Sequence, residues 1–233
     1  MASLAAPFLS TKKSSRLILV SWSLCLVPCT LYLAPSMNYL AHAYLSFGHP
    51  KILAGNLISD FVKGKKKFNY TEEIQKGIVL HRQIDAFTDN HEATKRAKYF
   101  FRPHYRLYSG AFVDVVYDHF LANDENEFSE DSLLAFSTNT YEMMDQFVSE
   151  LPAGFSAMFP YMKMQNWLFN YRTKWGTEKS FGGLVRRAAY LEESDTAATV
   201  FNENYHQLNL CYDSFFPEVK IFARHIYDEL IKQ

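Results

Sequence analysis

The chain has 233 residues, of which 48% are hydrophobic and 16% aromatic, so it is long and apolar enough to bury one sizeable core. Nine glycines and eight prolines are too few for a fibrous or low-complexity protein, and one globular domain is predicted. The formal net charge is only −1, but the charges are unevenly distributed. Residues 51–106 carry twelve Lys and Arg against six acids, and residues 107–162 carry ten acids and neither Lys nor Arg. Such a dipolar pattern suits a charged partner, but it is also common on soluble proteins without one.

Residues 1–36 differ in character from the rest of the chain. Three basic residues precede an uncharged run at 17–34, a pattern typical of a signal peptide or a membrane anchor. The alternative, which we favour, is that translation starts at Met37, because an organised amphipathic segment begins directly there. Contact with a membrane is therefore expected only if this leader is translated and retained.

The cysteines and the charge of the body, residues 37–233, narrow the class of protein further. Only Cys211 lies outside the leader, so the body can form no internal disulfide and needs no oxidising compartment. A cytoplasmic protein is predicted. Without the three positive charges of the leader the formal charge falls from −1 to −4, which argues against a nucleic-acid partner.

From Met37 onward the hydrophobic periodicity is helical, and no convincing period-two run is present. An all-α, single-domain helical bundle is predicted. Its segments are 38–47, 50–63, 71–89, 91–101, 108–122, 130–150, 161–171, 178–191 and 196–231. Helix caps are expected at Thr71 and Ser129, and breaks at His49-Pro50, Gly64, Arg102-Pro103, Leu151-Pro152 and Gly176-Thr177. Pro217 is expected to divide or kink the last segment.

One predicted helix carries a histidine and an aspartate at metal-ligand spacing. His81 and Asp85 are four residues apart, which on a helix places both on one face. Such a pair can bind a metal ion, or can simply form a hydrogen bond on a solvated face. Asp89 continues the same face by one turn and could serve as a ligand, as an acceptor behind a ligand, or as the helix end.

A second predicted helix repeats this spacing. Asp114 and Asp118 are four residues apart and His119 follows directly. Facing the first pair, they could complete a mixed oxygen and nitrogen site, which suits Mn²⁺, Mg²⁺ or Fe²⁺ better than a metal that prefers thiolates. No cysteine is placed to compete.

His42 and Asp60 are two further candidates from the opening segments. Taken alone, His42 is more typical of a hydrogen-bonded core histidine, and Asp60 of a helix cap or a partner of a lysine. Carboxylates and histidines are costly to bury among apolar residues unless they are paired or bind a metal. Together with the two pairs described above, they favour a metal site.

Four segments resemble the acyl carrier protein phosphodiesterase family: MNYLAHAYLS at 37–46, LAGNLISDFVKG at 53–64, GIVLHRQIDAFTDNH at 77–91 and DVVYDHFL at 114–121. The resemblance runs from Met37 to the C-terminus. It implies a helical fold distantly related to HD-type metal phosphohydrolases. It also implies an enzyme that hydrolyses the 4′-phosphopantetheine group from holo acyl carrier protein and prefers Mn²⁺, one of the three ions that suit the predicted donor set.

The resemblance also assigns roles to residues. It implies that Asp60 is essential for catalysis, and it places His42, His81, Asp85, Asp114, Asp118 and His119 at motif positions of the family. From what phosphodiester hydrolysis requires, we predict that His42, His81, Asp85, Asp114 and Asp118 form the metal-ligand pool, with Asp60 either binding the metal or orienting the water. His119 is the candidate general acid for the serine oxygen of the carrier. The chain departs from the family in its leader, and in Gln83, where many relatives carry arginine; the second departure concerns surface charge.

A basic stretch beside Asp60 is the predicted contact for the carrier protein, which is acidic. The residues are Lys63, Lys65, Lys66, Lys67 and Arg82. Positive charge next to the site would steer such a partner, although a four-lysine turn is also what an ordinary soluble loop contains. Two other functions remain open at this stage: an HD-type phosphohydrolase acting on a nucleotide or small molecule, and a carrier-binding helical protein without activity.

Overall fold

The computed structural model describes Met1 and residues 39–232, and every regular element in this part of the chain is a helix. This confirms the all-α, single-domain prediction. Four short 3₁₀ helices cover Ser59–Phe61, Gly64–Asn69, Arg106–Tyr108 and Val148–Glu150. The α-helices are α1 (Tyr39–Tyr44), α2 (Pro50–Ile58), α3 (Glu72–Asn90), α4 (Glu92–Tyr105), α5 (Ser109–Ala122), α6 (Glu130–Asp145), α7 (Ala153–Met164), α8 (Trp167–Asn170), α9 (Lys174–Arg187), α10 (Asp195–Glu203) and α11 (Tyr205–Lys232).

The eleven α-helices of the described residues all belong to one compact unit. The leader predicted at 1–36, apart from Met1, and the predicted start at Met37 lie outside the described residues. Among the helices that are described, none combines the length and the apolar character needed to cross a bilayer.

Local capping explains where several helices begin. Ser129 accepts a hydrogen bond from the Ser132 backbone N–H, and the Ser132 side chain accepts one from the Ser129 N–H, so that α6 begins with a reciprocal capping box. The break before Pro50 is also present, and α2 begins there. Thr71 precedes α3 as predicted, in an extended conformation, but its side chain makes no capping bond.

The proline and glycine positions account for the errors in the predicted boundaries. Pro103 lies inside α4, where the sequence predicts a break. Pro217 lies inside α11, which continues through it, so this proline does not divide the last segment; the chain instead breaks between Glu203 and Tyr205. Both prolines are exposed, so the carbonyl group left without its helical donor can be hydrated. Gly176 likewise lies within α9.

The start of α9 and the position of α7 were also predicted wrongly. The Thr173 side chain accepts a hydrogen bond from the Gly176 N–H and caps α9, which therefore starts four residues before the predicted segment 178–191. Helix α7 covers Ala153–Met164 rather than 161–171, because it begins directly after Pro152.

Two packing features position the helices that carry the predicted site residues. Helix α5 is buried along almost its whole length and packs against α1, α4, α9 and α11. Helices α2 and α3 cross at Gly55 and Gly77, where a Cβ on Gly55 would lie 2.0 Å from the Ile74 carbonyl oxygen and 2.9 Å from the Gly77 Cα. Only glycine permits so close an approach of two backbones. It brings the end of α2 against the middle of α3.

Candidate metal centre

Helices α1 and α3 bring two histidines and a carboxylate together. His42 Nε2 is 3.2 Å from Asp85 Oδ1, and His81 Nε2 is 3.0 Å from Asp85 Oδ2, so one carboxylate bridges both rings. The two imidazoles are stacked, with their centroids 4.0 Å apart. A ring nitrogen of each histidine and an oxygen of Asp85 all lie within 4.8 Å of one another, close enough to share one metal ion.

Asp60 reaches the same place from the 3₁₀ turn that follows α2. Its Oδ1 is 3.2 Å from His81 Nε2, so this nitrogen faces two carboxylates. The Arg82 guanidinium donates to the Val62 carbonyl oxygen at 2.9 Å and thereby ties this turn to α3. We term the four residues His42, His81, Asp85 and Asp60 the His–Asp cluster.

Asn56, a fully buried residue of α2, fixes the His42 ring. Its Oδ1 is 2.7 Å from His42 Nδ1, while its amide donates to the His42 carbonyl oxygen and to Ser46 Oγ. Because Asn56 Oδ1 can only accept, His42 Nδ1 must donate, which leaves the Nε2 lone pair for the cluster. Sequence reasoning missed this residue. The available signal was a single amide within the apolar run of α2.

The charges of the cluster are strongly coupled. Burial alone would lower the pKa of His81, but the Asp85 and Asp60 carboxylates outweigh it and raise that pKa to about 10. Burial opposes ionisation of Asp85, yet the two histidines hold its pKa below the usual range. The pKa of His42 is lowered by burial and by the neighbouring His81. Without a metal, the cluster therefore carries a proton on His81 and a neutral His42.

The donor set fits a divalent cation. In an octahedral site with ligand distances of about 2.1 Å, neighbouring ligand atoms are about 3.0 Å apart. The separations of 3.0 and 3.2 Å between the Asp85 oxygens and the histidine nitrogens match this edge length. His81 Nδ1 is buried and has no hydrogen-bond partner among the described residues, so the polar contacts of His81 converge on Nε2. This is the atom on which a metal would replace a proton.

Asp118 lies outside this cluster. Its Oδ2 accepts a hydrogen bond from the Leu40 backbone N–H at 3.0 Å, and its Oδ1 accepts one from the Ala41 N–H at 2.8 Å. Asp118 thus caps the first turn of α1. Burial raises its pKa well above the usual range, against the effect of these two donors. Asp114, one turn earlier on α5, instead lines a cavity together with Asp85.

His119 is held in a different environment from the predicted general acid. Its Nδ1 donates to the Tyr171 carbonyl oxygen at 2.7 Å, and its Nε2 accepts from the Tyr205 hydroxyl at 2.9 Å. Burial lowers its pKa to about 4, so the ring is neutral near pH 7. Both nitrogens are occupied by groups outside the His–Asp cluster. This geometry favours a role in packing α5 against α9 and α11.

The predicted carrier contacts lie on the surface beside Asp60. Lys63, Lys65 and Lys66 are exposed and Lys67 is half-buried, in and directly before the 3₁₀ helix Gly64–Asn69. Arg82 is also exposed, although its guanidinium donates a hydrogen bond to the Val62 carbonyl oxygen. Asp89, the third candidate on the face of His81, is exposed and pairs with Lys98 rather than with the cluster.

The fold and the cluster define an all-α protein with a candidate metal centre built from histidines and carboxylates. Residues 37–219 match the model of the family described as acyl carrier protein phosphodiesterase. The chain belongs to this family. Membership places it among the phosphodiester hydrolases, as the sequence predicts.

The similarity extends over nearly the full length of individual relatives. The acyl carrier protein phosphodiesterases of Enterobacter sp. (strain 638) and Klebsiella pneumoniae subsp. pneumoniae are each 30% identical to this chain over 190 residues, which is 81% of this chain and 98% of the relative. A relative of the same name from Escherichia coli O139:H28 is 28% identical over 190 residues, with the same coverage. No solved structure matches, so the relation to HD-type hydrolases stays a prediction.

Proposed function

We propose that this protein is a metal-dependent phosphodiesterase that removes 4′-phosphopantetheine from holo acyl carrier protein and releases the apo carrier. The observation that carries the proposal is the close approach of His42, His81, Asp60 and Asp85 to one another, in a chain whose relatives are named acyl carrier protein phosphodiesterase. Mn²⁺ is the proposed ion, with Mg²⁺ and Fe²⁺ as alternatives.

His42 Nε2, His81 Nε2 and the Asp85 carboxylate would hold this ion, with Asp60 beside them. A divalent ion bound there would supply positive charge to the phosphodiester and acidify the attacking water. The site is accessible to solvent at Asp85, because the Asp85 side chain is 32% exposed while that of His42 is 2% exposed. The substrate would therefore approach from Asp85.

Asp60 is the proposed catalytic carboxylate. Its side chain is 20% exposed, so it can contact a water molecule while one oxygen stays within hydrogen-bond distance of His81. A carboxylate in this position can orient water and accept its proton. Arg82 is the proposed positioning residue, because it fastens the turn that carries Asp60 to α3.

The substrate is proposed to be a protein rather than a small molecule. Exposed lysines on the 3₁₀ helix Gly64–Asn69 directly follow the Asp60 turn, and such a positive surface would attract an acidic carrier. The predicted nucleotide phosphohydrolase and the inactive carrier-binding protein are the alternatives that the experiment must separate.

The test is the intact mass of purified holo carrier after incubation with the full chain and Mn²⁺. The carrier should lose the phosphopantetheine mass with the wild-type protein. It should keep that mass with a chelator present or with the Asp60→Ala variant. Asp131→Ala, which removes an exposed carboxylate from the first turn of α6, is the matched control and should leave turnover unchanged. An unchanged carrier with folded, metal-loaded protein would refute the proposal. Carrier binding without cleavage would then indicate the inactive binding protein. Absence of carrier binding would instead indicate the nucleotide phosphohydrolase.

A further inference from the structure

A cavity of about 340 Å³ opens beside the His–Asp cluster. Asp85 belongs both to the cluster and to the cavity wall, and Asp114 extends the wall along α5. The C-terminal half of α4 and the turn that follows it supply much of the remaining wall. A ligand that reaches Asp85 through this cavity must therefore pass residues of α4, which contributes nothing to the cluster itself.

The α4 side of the cavity is positively charged. Lys98, Arg102 and Arg106 all line it. Lys98 and Arg102 are four residues apart on one face of α4, and Arg106 follows the last residue of that helix. Lys98 donates to Asp89 at 2.6 Å. Arg102 and Arg106 are exposed, and none of the ion pairs found among the described residues includes either of them.

Arg106 has a strained backbone. Its φ of 46° and ψ of −115° lie outside the regions that residues with a Cβ normally adopt, and glycine would suit the position better. Strain of this kind is concentrated at ligand sites, where it fixes a side chain in place. An arginine at a position that favours glycine points to a use for its guanidinium.

We infer that Arg102 and Arg106 bind the phosphate group of the substrate while the His–Asp cluster holds the metal. This inference rests on the proposed function, because it takes a phosphodiester as the ligand. A phosphodiester is an anion with two free oxygens, and a planar guanidinium can donate to such oxygens with two N–H groups at once. The Asp85 carboxylate would then face the metal, and guanidinium groups from α4 and the turn after it would face the phosphate.

Two variants test this assignment through substrate binding. Arg102→Gln removes one guanidinium, and Arg106→Gly removes the other while relieving the backbone strain. Each variant should raise KM for holo carrier by about tenfold or more with a smaller change in kcat. Arg106→Gly should keep or increase the melting temperature, which a purely structural arginine would not allow. Arg96→Gln is the control, because Arg96 lies on the same helix but does not line this cavity.

A second measurement separates this inference from the proposed function. Thermal protection of the chelated protein by inorganic phosphate reports anion binding without turnover. Protection that is present in the wild type and in Arg96→Gln, but lost in Arg102→Gln and Arg106→Gly, would support the arginine site even if the wild type left the carrier uncleaved. Unchanged KM and unchanged phosphate protection in both variants would overturn it, as would a fall in melting temperature of Arg106→Gly with KM unaltered.

Discussion

Gly55 on α2 and Gly77 on α3 are in direct backbone contact, and this contact decides whether Asp60 can reach His81. A Cβ built on Gly77 would lie 2.2 Å from the Ile52 carbonyl oxygen and 2.9 Å from the Gly55 Cα. Asp60 lies two residues after the end of α2, and His81 follows Gly77 by one turn on α3. The distance of 3.2 Å between their side chains therefore depends on how closely the two helices pack.

Gly55→Ala should both destabilise the protein and weaken metal binding. The added methyl group cannot fit 2.0 Å from a carbonyl oxygen, so α2 and α3 must separate. We expect a loss of about 1–3 kcal/mol in the free energy of unfolding, measured by urea denaturation. The affinity for Mn²⁺, measured by calorimetry, should fall in the variant as well.

Gly182→Ala is the matched control for this substitution. Gly182 also lies within a helix, but its nearest neighbours are the ends of flexible side chains at 3.5 and 3.7 Å. Alanine should be neutral or stabilise by up to about 1 kcal/mol there. Equal effects of the two substitutions would show that the α2–α3 contact has no special role.

Asp118→Asn distinguishes a helix cap from a metal ligand. The amide retains one oxygen but turns an NH₂ group toward a backbone N–H at the start of α1, so stability should fall by about 1–3 kcal/mol. The stoichiometry of Mn²⁺ binding should be unchanged. Asp85→Asn should instead weaken Mn²⁺ binding by about a hundredfold or more. Loss of Mn²⁺ binding in Asp118→Asn with unaltered stability would restore Asp118 to the ligand pool.

Mn²⁺ binding should release a proton from His81. The pKa of His81 in the folded, metal-free protein is about 10, above the ordinary value of about 6.5. Its proton therefore stabilises the metal-free fold fully below about pH 6.5 and progressively less as pH rises toward 10. A metal must displace this proton, so Mn²⁺ affinity should rise by about tenfold per pH unit between pH 7 and 9.

Calorimetry in buffers of different ionisation enthalpy measures this release directly. About one proton per Mn²⁺ is expected at pH 7.5. His225→Gln, which removes an exposed histidine from α11, should give the same value. Affinity that does not change with pH, with no proton released, would contradict both the charge state of His81 and its place among the ligands.

Neutralising the lysine turn should weaken carrier binding without affecting chemistry. Lys65→Gln/Lys66→Gln should raise KM for the carrier and reduce its dependence on salt concentration, because exposed charges act through a screened field. The value of kcat should stay the same. Lys174→Gln/Lys179→Gln on α9 is a control of equal charge. Identical salt dependence in both double variants would show that the lysine turn does not steer the substrate.

Spacing along the sequence predicted the residues that share one helix face. His81 and Asp85 were identified by their four-residue interval, and the apolar surroundings of His42 and Asp60 marked both as costly to bury. The structure brings these four residues together. The same spacing pairs Asp114 with Asp118 as predicted ligands, whereas in the structure Asp114 lines the cavity beside the cluster.

Sequence could not assign Asp118 and His119, because their partners are distant along the chain. Asp118 binds backbone donors at residues 40 and 41, and His119 binds Tyr171 and Tyr205. Nothing local distinguishes these uses from metal ligation or acid catalysis. The effect of the prolines on the helix boundaries could not be assigned from the sequence for a related reason. Whether Pro217 ends a helix depends on the exposure of its face, which only the folded chain determines.

The most direct test of the central claim is the anomalous scattering of Mn²⁺ in crystals of the full chain. A peak at the manganese edge should lie within bonding distance of His42 Nε2, His81 Nε2 and the Asp85 carboxylate, with Asp60 next to it, and should vanish in His81→Gln. A peak held instead by Asp114 and Asp118, or none at all in protein that hydrolyses the carrier, would contradict the assignment of the His–Asp cluster as the metal centre.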